Sequence, residues 1–297
     1  MSSHLHRRRF VERLAVGLCI LALVIALLPL FHIVYTALSI GGSKLSWTFV
    51  SQPAQGLPYI GSQGGILNAL LGTLLLLLLG NLLAVPVGVV CGVYLIEFGE
   101  GPLGSAIRTT GDTLLSVPSV IWGLFGYLLL ANTASPFGLH WNLCALAGGV
   151  VLGLVMTPII ARVTELSLGE VPHAFREASL ALGATRWQTM WRVRLKVARP
   201  GVVTGMLLAI TNALGQTVAL LLTNGYSLTM PHWPPQLVGQ GNSLGDVSSS
   251  IYVYLEQPTP LLQAPAEAAA IILLLLVFAL SALSRLLLVF GGRTYGR

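Results

Sequence analysis

The chain has 297 residues, of which 55% are hydrophobic and only 9% charged. Soluble domains carry about 25% charged residues, so this composition excludes an ordinary water-soluble enzyme and points to a bilayer. The formal charge of +6 does not indicate nucleic-acid binding either, because nearly every basic residue flanks an apolar run, as charge that orients a membrane protein does.

Spanning about 30 Å of hydrocarbon takes about 20 apolar residues of helix, and six stretches meet that length. A basic segment, 1–13, contains "RRRFVER" and precedes the first span, 14–38. That span is too long for a signal peptide and no small-residue cleavage site follows it, so it reads as a retained anchor. The other spans are 66–96, 114–131, 141–161, 201–223 and 268–290, the last carrying Arg285 within snorkelling reach of the surface. The expected fold is therefore all-α and integral to the membrane. Its divisions are 1–13, the first helix and loop 14–60, a core 61–292 that includes the inner segment 162–199 and the outer segment 225–266, and a tail 293–297.

Fifteen of the sixteen basic residues fall on one side of this arrangement, with Lys44 alone on the other. The basic side is the cytoplasm by the positive-inside rule, which puts both termini inside. The outer connections are rich in Gly, Pro, Ser and aromatics. "MPHWPPQLVGQG" places Trp233 at the membrane–water boundary, and "SSSIYVYLEQPTP" reads as a short helix near the outer surface, part of an outer mouth or docking surface or an ordinary interfacial loop. Pro86, Pro118, Gly123 and Pro158 interrupt the spans. Backbone groups freed there cannot be satisfied by lipid, so these regions are expected to face protein or a watery cavity.

Cys19, Cys91 and Cys144 stand alone, without disulfide or metal-ligand spacing, and the six histidines are scattered, His4 and His6 in the basic tail. No metal site and no catalytic residue is expected. The chain also lacks G-x-x-x-x-G-K-[ST], so it has no loop to cradle ATP phosphates.

One inner stretch differs from the rest. Pro172 suits the start of a helix and Gly183 the position just past its end. Between them Phe175, Ala178, Ser179 and Leu182 recur at helical spacing and form one small-residue, semi-apolar face, with Arg176 and Glu177 off that stripe. A second, basic helix runs through Trp187, Met190 and Trp191 toward Arg199 and Pro200. So short a helix is unstable alone in water and must dock, either on this protein's own helix ends or in another protein's groove.

"VPHAFREASLALGATRWQTMWRVRLKVARPG" resembles the EAA loop of ABC-importer permeases, with Glu177, Ala178 and Ser179 as the triplet and Gly183 as its glycine. "GGILNALLGTLLL", "VPVGVVCGVYLIEFG", "LLSVPSVIWGLFGY", "TGMLLAITNALGQTVALLLT" and "LSRLLLVF" are similar, in order, to segments of the PstA phosphate-permease family. The resemblance implies a type I ABC-importer permease fold in a bacterial plasma membrane. The implied partners are a PstC-like permease, two PstB-like ATPase subunits that bind ATP and Mg, and a PstS-like phosphate-binding protein, periplasmic or lipid-anchored. This chain itself is expected to hold no cofactor. Arg176, Glu177, Ala178, Ser179 and Gly183 are then the ATPase-coupling residues.

In the fifth span the family pattern R-x-x-G-E-T-A-P reads "NALGQTVAL" here: Asn212 stands for the Arg, Gln216 for the Glu and Ala219 for the Pro, while Gly215 and Thr217 are kept. Removing one member of a buried ion pair costs about 3–5 kcal/mol, whereas replacing both leaves two amides four residues apart that can hydrogen-bond each other. Asn212–Gln216 is therefore expected to be a neutral substitute for a mutual pair. No Lys or Arg lies at mid-membrane depth, so an anion would rely on amides, hydroxyls, helix N-termini or a cation from the partner permease. The candidate pathway residues are Ser116, Ser119, Asn212, Gln216 and Thr217, each also suited to a helix–helix hydrogen bond. Competing readings are a permease for another oxyanion or polar solute, and a regulatory scaffold that conducts little.

Overall fold

The computed structural model describes residues 2–54, 64–132, 141–231, 237–239, 241–257 and 263–293, with side chains from residue 11 to residue 288. Trp233 and the "PTP" that closes the predicted outer helix lie outside the described residues. Every regular element among the described residues is helical. Four helices are long and apolar enough to cross a membrane (Val11–Gly41, Leu67–Phe98, Ala145–Gly169 and Gln263–Leu288), and two bent helix pairs pass the same test jointly.

Helix α1 (Ser2–Thr36) ends in a π-helical turn, Ala37–Gly41. Its span is exposed along its whole length, and it meets the rest of the chain at that turn. There Gly41 lies against the α12 backbone so closely that a Cβ would sit 2.5 Å from Ala268 N. The short helix α2 (Trp47–Ser51) is capped by Ser46, whose Oγ accepts from the Phe49 amide at 3.2 Å.

Helices α3 (Leu67–Phe98) and α6 (Ala145–Gly169) form the central seam. Gly72, Leu76, Gly80, Ala84, Gly88 and Gly92 follow one another at intervals of four on α3 and are all buried. Lipid supplies no hydrophobic drive between helices, so close packing of small residues must hold them. A Cβ added at Gly92 would lie 2.6 Å from Thr164 Cβ, and one at Gly149 of α6 would lie 2.6 Å from Leu79 Cβ. Both helices run on through their prolines, Pro86 and Pro158, which the sequence marked as interruptions. A proline inside a span forfeits one backbone bond, and neighbouring helices tolerate that loss.

One predicted interruption, Pro118, does mark a break, and a second break lies where none was predicted. Helix α4 (Pro102–Ser116) meets α5 (Ser119–Gly126, prolonged by a π turn, Tyr127–Ala131) at 102°. Val117 is extended there (φ −70°, ψ 124°), as a residue before proline prefers. The predicted third span, 114–131, thus begins at a corner, and Arg108, ahead of that span, lies on α4. After α7 (His173–Ala181), α8 (Arg186–Gln188) continues through a π turn, Thr189–Arg194, into α9 (Leu195–Ala213). This helix passes Pro200, where the sequence placed its end. It stops instead at Leu214–Gly215–Gln216 and turns by 71° into α10 (Thr217–Thr223), so the predicted fifth span, 201–223, is broken near its middle.

Helix α11 (Val247–Glu256) matches the predicted outer helix, but its first turn is not on the surface: Val247, Ser248, Ser249 and Ser250 are all buried. Helix α12 (Gln263–Arg293) completes the chain. Two satellite clusters mark opposite ends of α3. Phe49, Ile66, Ala69, Val247, Ala268 and Ala269 pack at its start, while Val93, Leu168, Val171, Met190, Ala198 and Val202 pack at its finish, beneath α7.

Candidate coupling helix and translocation surface

Helix α7 stands off the body of the protein. None of its residues is buried, although Arg176 and Ser179 are partly covered. Its end is a Schellman turn: the Gly183 amide donates to Leu180 O at 2.9 Å and the Ala184 amide to Ser179 O at 3.2 Å. Gly183 has φ +84°, a left-handed conformation that glycine adopts without strain. After it, Thr185 and Gln188 form a capping box that starts α8 at once.

The sequence leaves open whether this helix docks on its own chain or in another protein's groove. The predicted semi-apolar stripe looks outward: Leu182 is 90% exposed, and Phe175 and Ala178 are exposed as well. Attachment runs through Arg176, off that stripe, and through Ser179, the stripe residue that is partly covered. Ser179 Oγ lies 2.9 Å from Thr189 Oγ1 in the π turn, and Arg176 Nη2 lies 3.8 Å from Glu97 Oε2 at the end of α3. Glu177 is exposed.

Two carboxylates organise the helix ends beneath α7, and sequence reasoning missed the role of both. Glu97 also accepts from Arg194 Nη1, and the buried Arg194 donates from Nη2 to Leu168 O at 3.1 Å. Glu165, 7% exposed, receives Arg108 Nε at 2.7 Å and Arg162 Nη1 at 3.2 Å. Arg108 in turn donates to Gly99 O at 2.7 Å and Leu95 O at 3.2 Å, closing the carbonyl end of α3. The signal for these pairs was charge itself in an oily chain, but partners 97 and 57 residues apart leave no local pattern. Beside Glu165 a cavity of about 420 Å³ opens between α3, α4 and α6, and none of the candidate pathway residues lines it.

Those candidates gather at the two helix breaks. Gly123 abuts Ala219 and Gly126 abuts Thr223, so α5 and α10 run parallel and begin at the same end of the pair. Ser119 is the first residue of α5 and Thr217 the first of α10, both partly exposed. Asn212 and Gln216 bridge the second break, with Gln216 Nε2 donating to Asn212 Oδ1 at 3.1 Å. The expected amide pair is therefore formed, even though the helix between its members is not continuous. Gln216 Oε1 is buried without a hydrogen-bond partner. Ser116 is exposed and its hydroxyl returns to Thr113 O at 2.7 Å, so it caps its own helix.

The opposite end of the bundle holds a further buried acid. Asp246 is 1% exposed and caps α11, its Oδ1 accepting from the Ser249 amide at 2.9 Å and Ser248 Oγ at 2.7 Å, while Oδ2 has no partner. Burial pushes its carboxyl above the usual aspartate range, and the serine hydrogen bonds offset part of that shift. Ser248 and Ser249, two and three residues on, were the available cap signal in the sequence. Nearby, Asn224 donates to Leu244 O at 2.7 Å and accepts from the Leu244 amide at 3.0 Å, tying the outer segment to the end of α10.

Comparison with known proteins agrees with this geometry. Residues 84–288 match the family described as binding-protein-dependent transport system inner membrane component. Phosphate transport system permease protein PstA 2 of Mycobacterium bovis is 33% identical over 288 residues, covering 97% of this chain and 88% of its own length. PstA of Haemophilus influenzae is 32% identical over 280 residues, covering 94% of each chain. Among solved structures, a bacterial alginate ABC transporter is similar with a TM-score of 0.63 at 16% identity, over 92% of this chain and 93% of that one. An inward-facing MetNI methionine ABC transporter gives 0.54 at 22% identity, over 75% and 94%. These distant likenesses establish the fold, and the sequence relatives establish the lineage: the chain belongs to the family of binding-protein-dependent transport system inner-membrane components, within its PstA permease branch.

Proposed function

We propose that this chain is the permease subunit of an ATP-driven phosphate importer, forming half of the translocation pathway and driven by a separate ATPase. The observation that carries the reading is α7, a capped helix with no buried residue whose apolar stripe is left bare. A helix of nine residues does not hold its shape alone in water, so a stripe that its own chain leaves uncovered fits a groove on another protein. In this reading the two bent pairs each count as one span, giving six. The end bearing α7 and most arginines is cytoplasmic, as are both termini. A PstC-like permease, two PstB-like ATPases that bind ATP and Mg, and a PstS-like binding protein complete the complex. The bare face of α1 is available to the partner permease or to lipid.

The breaks suggest how an anion passes without an intramembrane cation. The parallel starts of α5 and α10 bring two positive dipole ends to one side. Ser119, Thr217 and the Asn212–Gln216 amides add neutral hydrogen-bonding groups. Gln216 Oε1 is an acceptor in search of a proton, which a phosphate retaining one hydroxyl supplies and a fully deprotonated oxyanion does not. The missing family Arg and Glu favour the second reading, a permease for another oxyanion or polar solute. Uptake of labelled phosphate by proteoliposomes holding the whole complex, competed by sulfate, separates the two: phosphate uptake indifferent to sulfate is expected, and its absence overturns the substrate. ATP turnover without any flux would instead identify a regulatory scaffold. Gly183→Val, which forces a β-branched residue to φ +84°, is expected to abolish co-purification with the ATPase while leaving membrane insertion intact.

A further inference from the structure

The geometry points to Glu97 as the joint through which movement of α7 reaches the membrane core. This inference rests on reading α7 as the ATPase-docking lever.

Glu97 lies in the last turn of α3, where a negative charge opposes the helix dipole. Helix stability therefore does not account for a glutamate there; its partners do. On its inner side the carboxylate takes Arg194, which is 7% exposed and also holds Leu168 O in the last turn of α6. On its outer side it meets Arg176 of α7 at 3.8 Å. The side chains form a graded series, 8% exposed at Arg194, 14% at Glu97 and 37% at Arg176. One carboxylate thus connects α3, α6, the π turn ahead of α9, and the lever itself.

Little else ties α7 down. Among the described residues its other side-chain link is Ser179 to Thr189, which ends on the same π turn that carries Arg194. A π turn is a local irregularity that can change register more readily than an α-helical segment. Pulling α7 therefore loads two points one helical turn apart, and both lead to Arg194 or its turn. The Glu97 branch alone continues into α3, whose glycine face is locked against α6. Glu97 is accordingly a positioning residue: it touches neither substrate nor nucleotide, and its task is to keep α7 and α3 moving together.

The test uses the complete complex in proteoliposomes, scoring capture of the ATPase, ATP turnover and phosphate moved per ATP. Glu97→Gln is expected to keep ATPase capture, because the bare stripe of α7 does not include it, while phosphate moved per ATP falls on the order of tenfold, within the range of known coupling effects. Arg176→Ala should lower the same ratio, and the double variant should be no worse than Glu97→Gln, since both act through one contact. Unchanged ratios in the single variants, or losses that add in the double, overturn the inference. Should Glu97→Gln fail to insert, Glu97→Asp, which keeps the charge for Arg194 but shortens the reach to Arg176, takes its place in the same cycle. Failure of the unsubstituted chain to capture any ATPase would instead refute the lever reading.

Discussion

The two ends of the bundle bury their acids in opposite ways. At the α7 end, Glu97 and Glu165 are each clasped by two arginines, most of them from other elements: Arg176 and Arg194 for one, Arg108 and Arg162 for the other. At the other end Asp246 has no cation beside it among the described residues and is held by serines of the helix it caps. Ion pairs between elements are joints: each half can part from the other and find water or a new partner. An acid bonded within one helix fixes that helix in place. The first end is therefore built to be moved and the second to stay put, as the proposed lever role of α7 requires.

The largest test of this contrast is Glu165→Ala. It strands Arg108 and Arg162 beside the cavity and loosens the grip of Arg108 on Leu95 O and Gly99 O. A fully buried pair broken in this way costs about 3–5 kcal/mol. Because the Arg108 side chain is 35% exposed, about 2 kcal/mol is the expected loss. Thermal unfolding in nanodiscs measures it, and a shift no larger than that of an exposed control such as Glu177→Ala would show that the joint is not structural.

A smaller effect is expected at the break that lies between the ends. Asn212→Arg alone and Gln216→Glu alone each replace half of the 3.1 Å amide contact with an unpaired charge. The double substitution restores opposite charges and should be tolerated better than either single one by a coupling of about 1 kcal/mol. If the double variant accumulates in membranes no better than the singles, the amides are not acting as a pair.

How much of this was readable beforehand follows from the range of each interaction. The membrane character and the rough positions of the spans follow from runs of about 20 apolar residues and need no partner. The α7 boundaries were equally legible, because Pro172 and Gly183 act through their own backbones. The break at Pro118 was legible too, but the other breaks were misplaced for the complementary reason. Pro86, Pro158 and Pro200 look like interruptions, but packed neighbours carry the helices through them, whereas the true bend at Gly215 depends on α10 turning to lie along α5. The polar run "NALGQT" inside an apolar span was the overlooked cue. The facing of α7 stays open in the sequence, because helical spacing defines a stripe but not which side the rest of the chain will cover. Glu97, Arg194 and Asp246 were invisible as site residues because their meaning comes from partners distant in sequence or from burial.

The smallest expected effect concerns Asp246 and has a definite sign. Its folded-state affinity for a proton is raised by burial. The stabilisation linked to that proton is fully present below the ordinary aspartate range and is lost as pH rises through the elevated folded value. Among the described residues the titratable group interacting with it is Tyr226, which is itself paired with Tyr254. Burial raises both phenols, Tyr254 adding to the rise at Tyr226, so both stay neutral through the working range and supply no compensating charge. Asp246→Asn keeps an oxygen to accept from Ser249 and Ser248 but cannot ionise. The variant should match the parent below the ordinary aspartate range and become progressively the more stable of the two as pH rises from there through neutrality. Parallel stability profiles across that interval would mean that Asp246 is already ionised in place. The outer end would then hold a buried charge, and the distinction between a movable inner end and a neutral, fixed outer one would fail at its simplest point.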